Sequence, residues 1–140
     1  MRKLVLSIFL LIGCPAQNEQ PKQVLLPQEE KPPTPSAPEV TVTAMKLWQD
    51  YEDNEVSADI RYKDKWLLVS GEIDSINKDF SGKPYLYLKS PSLIMRVPIR
   101  FQADESKLIS TLQKGQAVAA LCKCHGRKIG SPDLTDCLAR

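Results

Sequence analysis

The sequence predicts a mainly β fold with some helix. It would be a small closed barrel of five strands, with a helical segment ahead of it and one helix between strands three and four. Three observations lead there. From Trp66 onwards the chain runs in short alternating or continuously apolar stretches, separated by turns rich in Gly, Pro, Ser and Asp. Gly71 lies in the middle of the longest stretch, where a bulge or tight bend would let a short sheet curl and close. Before Trp66 the apolar spacing is helical instead, with Leu47, Trp48 and Tyr51 on one face.

The elements follow in order. Thr43 starts the first helical pattern, and Asn54 caps a second short helix that carries Val56, Ala58, Ile60 and Tyr62. The first strand covers Trp66 to Ile76, and Asp79 to Pro84 is a turn. Tyr85 to Lys89 alternates as a second strand, and Ser90-Pro91-Ser92 turns again. A third strand runs from Leu93 to Phe101, with Arg96, Pro98 and Arg100 on the face opposite Val97, Ile99 and Phe101. Ala103 to Gln113 reads as a helix presenting Leu108, Ile109 and Leu112, with Gly115 near its stop. Ala117 to Lys123 and Leu134 to Leu138 complete the set. Three strands, a helix and two more strands give the order of an OB-fold barrel, expected over residues 43–140.

Length and composition bound the rest. The chain has 140 residues, which fits one domain, and 42% hydrophobic with 26% charged residues excludes disorder throughout. Lys+Arg 19 against Asp+Glu 17 gives +2, and Arg2 and Lys3 account for that excess. Bulk charge therefore argues against a strongly basic nucleic-acid binder. Arg2 and Lys3 precede an apolar run from Leu4 to Ile12, too short to span about 30 Å of hydrocarbon as a helix. The run ends in Leu11-Ile12-Gly13-Cys14, the residue order of a bacterial lipobox, against the competing reading of an ordinary secretory signal with a chance cysteine. Residues 1–13 are thus expected to be a lipoprotein signal peptide, and Cys14 the lipidated residue and membrane anchor. Residues 14–42 read as a tether: seven prolines lie between Pro15 and Pro38. At ~3.1 Å per residue in polyproline II, residues 15–42 would reach about 85 Å. The expected location is exported and lipid-anchored: the outer membrane facing the periplasm in a Gram-negative host, the cell membrane otherwise.

Leu47, Tyr51, Asn54-Glu55-Val56, Ala58-Asp59, Tyr62-Lys63, Val69, Gly71, Gly115-Gln116, Cys124, Gly126 and Cys137 together carry a family likeness. In these residues the chain resembles the tRNA-anticodon-binding-like family of small OB-fold proteins, many of them bacterial lipoproteins. The resemblance covers about residues 44–139. It implies the fold, and it does not by itself imply nucleic-acid binding, because fold does not fix function. Cys122 stands where family members more often carry Gly, which adds a thiol. With Cys14 acylated, Cys122, Cys124 and Cys137 remain, and an oxidising compartment favours pairing. The resemblance implies a disulfide between Cys124 and Cys137, with Cys122 to Cys137 as the competitor. A zinc site from Cys122, Cys124, His125 and Cys137 has poor spacing, so no metal is expected. His125, the one histidine, reads as a solvent-facing loop residue.

The function follows from the exposed face. With Leu86 and Leu88 inward, Tyr85, Tyr87, Arg96 and Arg100 share the outer face of strands two and three, where OB-folds bind ligands. Lys83 flanks the preceding loop, and Arg127 and Lys128 are expected in the loop after strand four. Aromatics beside arginines suit single strands of nucleic acid, yet Tyr and Arg are ordinary residents of an exposed sheet. The leading expectation is a non-enzymatic binding module for an envelope protein, peptide or glycan, with no cofactor. The alternatives are an oligonucleotide binder and an immunity, exclusion or inhibitor lipoprotein. An enzyme is least expected: one His, no nucleophile motif and no phosphate loop, so no catalytic residues are assigned.

Overall fold

The computed structural model describes Gly13 and residues 35–140. The signal segment, Cys14 and most of the tether lie outside the described residues. The described chain runs β1 (Val40–Thr43), α1 (Ala44–Asp53), α2 (Glu55–Tyr62), β2 (Trp66–Lys78), β3 (Pro84–Leu88) and β4 (Val97–Phe101). A 3-10 turn (Ala103–Glu105), α3 (Ser106–Ile109), β5 (Ala117–Lys128) and β6 (Ser131–Ala139) follow.

Strands β2 to β6 close a five-stranded mixed barrel, the OB-fold arrangement expected from the sequence. Their order is β2-β3-β4-β6-β5, and β5 returns to β2. Closure depends on the length of β2. Its residues 66–72 pair with β5, its residues 73–78 pair with β3, and a register shift separates Ile73 from Ser75. The β4–β6 seam is parallel, with Ile99 opposite Leu134 and Phe101 opposite Cys137. Leu67, Val69, Ile73, Leu86, Leu88, Val97, Ile99 and Leu134 are fully buried, as period-two alternation in a closed sheet requires. Gly71 falls on the same inward phase as Leu67 and Val69. A Cβ there would stand 3.1 Å from Ala44 Cβ and 3.2 Å from Leu88 Cδ1, so glycine lets the start of α1 close onto the barrel.

The two helices begin where the sequence places them. Thr43 Oγ1 accepts from Lys46 N at 3.1 Å, and Asn54 Oδ1 accepts from Ser57 N at 3.0 Å. Leu47, Trp48 and Tyr51 are buried from α1, and Ala58 and Tyr62 from α2, while Val56 and Ile60 face out.

Several boundaries differ from the sequence reading. β1, which lies within the range assigned to the tether except for Thr43, runs parallel to β2 with Val40 opposite Leu67. Four residues with one buried side chain, Val42, give too little alternation to be read alone. The third strand starts at Val97, not Leu93. Ser92 Oγ accepts from the amides of Ile94 and Met95, and Ser90 Oγ donates to the Met95 carbonyl at 2.6 Å, which curls the segment into a loop. The helix predicted for Ala103 to Gln113 contracts to the 3-10 turn and the single turn of α3. Ser110 and Thr111 hydroxyls donate back to the Lys107 and Leu108 carbonyls, and the chain leaves through i to i−3 bonds. The last two strands are longer than expected and meet at a two-residue turn, Ile129-Gly130, with φ of 50° and 77°. His125, Arg127 and Lys128 therefore lie on β5 and not in a loop.

The disulfide also differs. Cys137 bonds Cys122, not Cys124, and Cys124 is a buried free thiol. Register explains the choice. Leu121 faces Leu138, so Cys122 comes opposite Cys137 with a Cα–Cα separation of 4.1 Å. An extra β6 residue at the left-handed Asp136 then shifts the pairing, and Cys124 faces Leu134.

Two outcomes check this architecture. Gly71→Val forces a side chain between Ala44 and Leu88 and should cost about 1–3 kcal/mol, read as a lower urea midpoint. Trypsin cuts after Lys123 and separates Cys122 from Cys124. Non-reducing peptide mass spectrometry should therefore show Cys122 joined to Cys137 in Cys124→Ala and no such cross-link in Cys122→Ala. Loss of the cross-link, whose cysteines are 15 residues apart, should cost about 3 kcal/mol.

Candidate binding face

The outward residues of β3 and β4 form one surface. Tyr85 sits opposite Arg100 and Tyr87 opposite Pro98. The two tyrosine rings meet edge to face, centroids 5.3 Å apart at 88°. Burial and the neighbouring Tyr87 hydroxyl raise the Tyr85 pKa, so the Tyr85 phenol stays neutral at physiological pH. A groove of about 810 Å³ runs beside them, lined by Tyr87, Arg96, Pro98, Arg100, Lys128 and Ile129 among others. A second groove, of about 320 Å³, takes in Lys78 at the end of β2, Asp79 and Phe80 from the β2–β3 loop, with Tyr85, Tyr87 and Arg100.

The arginines on this face are already engaged. Arg100 Nη1 lies 2.6 Å from Asp133 Oδ1 on β6. Arg96 Nε lies 3.0 Å from Asp74, the residue at the register shift of β2. Arg96 Nη1 also donates to the carbonyls of Ser92, Leu93 and Met95, so it pins the loop before β4. The β2–β3 loop is held by Asp79 Oδ1, which accepts from Ser81 Oγ and the Ser81 and Lys83 amides; these bonds keep the Asp79 carboxyl below its usual range. Lys83 extends from that loop and lines a small neighbouring groove with Tyr85 and Arg100.

Tyr85, Tyr87, Arg96, Arg100 and Lys128 thus come together, with Lys83 at one end. Arg127 does not join them. Its guanidinium bonds Glu52, the Tyr51 carbonyl and the Gly130 carbonyl, which ties α1 to the β5–β6 hairpin. His125 Nε2 lies 2.9 Å from Thr135 Oγ1 on the exposed side of β5. Sequence reasoning missed Asp74 and Asp133, because the pairing that brings a carboxylate to an arginine is set by distant strands. It also missed Ile129, whose signal was the Ile-Gly pair at a hairpin tip. Among the described residues no three His, Cys, Asp or Glu side chains are grouped to hold a metal ion.

Several of the residues that carry the family likeness sit elsewhere, where the helices meet the barrel. Tyr51 Oη donates to Asp59 Oδ1 at 3.1 Å and lies 3.8 Å from Cys124 Sγ. A Cβ on Gly126 would come within 2.9 Å of Asp59 Oδ1, so glycine admits α2 to β5. Burial first, then the Cys124 and Asp59 groups, pushes the Tyr51 phenol upward; burial likewise pushes the Cys124 thiol up. Asp50 behaves oppositely. Burial would raise it, but hydrogen bonds from Lys46 and Tyr62 outweigh that and hold it low.

Barrel and helices define an OB-fold domain. The chain belongs to the tRNA_anti-like family, whose sequence pattern matches residues 2–138. No curated protein matches it. Its fold is similar to that of a provisionally named nucleic acid-binding lipoprotein from Klebsiella pneumoniae subsp. pneumoniae MGH 78578. That match has a TM-score of 0.58 and 20% identity, and covers 71% of this chain and 90% of the other. A chain of the S. pombe Stn1-ten1 complex matches with a TM-score of 0.41 and 18% identity, over 54% of this chain and 57% of that one.

The Tyr51–Cys124 contact gives a pH signature. Both groups resist ionisation when folded, whereas the unfolded chain ionises them near 9.0 and 10.0. Their contribution is complete below about pH 8, where neither group ionises in the unfolded chain, and is lost as pH rises further. The urea midpoint should fall between about pH 8 and pH 10.5, and the fall should be smaller in Tyr51→Phe, which itself costs about 1 kcal/mol at pH 7.

Proposed function

We propose that this protein is a lipid-anchored, exported binding module without catalytic activity, and that its β3–β4 face holds a segment of an envelope protein. The neutralised arginines carry this reading. Arg96 and Arg100 each face a carboxylate, so the centre of the surface is aromatic and close to charge balance. A polyanion gains little there, because a phosphate would have to displace Asp74 or Asp133. A polypeptide or glycan segment can lie across Tyr85, Tyr87 and Pro98 without disturbing either pair. Anchoring is supported by the Leu11-Ile12-Gly13-Cys14 sequence after an apolar run, with residues 1–13 removed and the chain from Cys14 to about Pro35 acting as a tether. The outer membrane, facing the periplasm, is the destination in a Gram-negative host, and the cell membrane otherwise.

A second reading, single-stranded nucleic acid, is favoured by Lys78, Lys83 and Lys128 around the tyrosine pair and by the name of the Klebsiella relative. One pair of measurements separates the two. A photo-reactive side chain in place of Tyr87 should cross-link an envelope protein in cells. Labelled single-stranded DNA and RNA should show no anisotropy change with the purified protein at physiological salt. Micromolar binding there, lost in Tyr87→Ala, would establish nucleic acid as the ligand instead.

A further inference from the structure

We propose that the domain also docks on an anionic lipid surface through two adjacent loop tips, Leu93-Ile94 ahead of β4 and Ile129 in the β5–β6 turn, with Lys128 beside them. These tips border the tyrosine face and share its groove and Lys128, but Leu93, Ile94 and Ile129 carry the contact, and the proposal rests in part on the anchoring of Cys14 proposed above. Leu93, Ile94 and Ile129 are 93%, 88% and 89% exposed, so folding gains almost nothing from three of the chain's larger aliphatic side chains. Ile129 also carries a backbone cost. Its φ of 50° is in the left-handed region, which a β-branched residue rarely adopts and which Gly, Asn or Asp would fill more easily in such a turn. A strained, exposed isoleucine at a hairpin tip points to a use outside the fold.

The two tips are neighbours. Ile94, Met95 and Ile129 line one groove, and a Cβ on Gly130 would stand 3.2 Å from Met95 Cε. Lys128 lines the same groove and has no ion-pair partner among the described residues. The one carboxylate of that groove, Asp133, is held by Arg100. Aliphatic tips beside a free cation are the pattern of an interfacial contact: the side chains enter the headgroup boundary while the ammonium meets anionic lipid. A nucleic-acid strand would leave the aliphatic tips unused, and a neutral protein surface would leave Lys128 without a partner. The chain between Cys14 and Pro35 spans at most ~76 Å even if fully extended. An acylated Cys14 therefore keeps the domain at high effective concentration next to the bilayer, where weak loop contacts suffice.

The test uses residues 14–140 with Cys14→Ser, so that no acyl chain contributes, and vesicles of phosphatidylcholine with or without phosphatidylglycerol. We expect co-sedimentation with the phosphatidylglycerol vesicles, weakened by added salt. The partition coefficient should fall about tenfold in the double variant Leu93→Ser/Ile94→Ser and clearly in Ile129→Gly. Ile129→Gly should keep a Tm at or above that of the parent, because glycine accepts the positive φ. The proposal is overturned if the parent protein sediments no more with phosphatidylglycerol vesicles than without vesicles, or if the variants sediment as the parent does. Metabolic labelling of the full-length protein with a radioactive fatty acid, lost in Cys14→Ser, reports on the anchor separately, so the two readings fail independently.

Discussion

The structure depends on one strand serving two partners. β2 is long enough that its first half pairs with β5 and its second half with β3, and this shared strand converts a meander into a closed barrel. Closure has a local cost, because a strand that passes from one partner to the next must bend sharply. Gly71 and the register shift at Asp74 supply the bend. Both have consequences beyond closure. The missing Cβ at Gly71 gives α1 its seat, and the displaced Asp74 meets Arg96 and so fixes the loop before β4.

Scaffold and candidate site are carried by different residues. Tyr51, Asn54, Asp59, Cys124 and Gly126 cap a helix or join the helices to β5. None of them is on the β3–β4 face. A likeness in these positions therefore transmits the fold, and the face is free to change its ligand. Arg127 marks the division: its bonds to Glu52 and to the Tyr51 and Gly130 carbonyls make it part of the scaffold.

Charge on the face is decided by pairs. Counted along the sequence, residues 61–140 carry more basic than acidic groups, which suggests an anionic ligand. In the fold, Arg96, Arg100 and Arg127 each have carboxylate partners: one pair joins the loop before β4 to β2, one joins β4 to β6, and one joins β5 to α1. The unpaired cations are lysines at the rim, where solvent screens them. The electrostatic character of the face is thus weaker at its centre than a residue count implies.

The sequence alone determined the barrel order, the caps at Thr43 and Asn54, the inward phase of Leu86, Leu88, Val97 and Ile99, and the outward tyrosines, because these follow from local periodicity and capping chemistry. It misjudged Leu93 to Arg96 and Ser110 to Gln113, where serine and threonine hydroxyls compete with the backbone in stretches whose apolar spacing looked regular. Only the tertiary structure decided that Val40–Thr43 joins the sheet, that Cys137 meets Cys122, and which carboxylate faces each arginine. Those outcomes depend on register between segments far apart in the chain. One extra residue at Asp136 is enough to exchange Cys124 for Leu134 at a given position, and no local pattern records that shift.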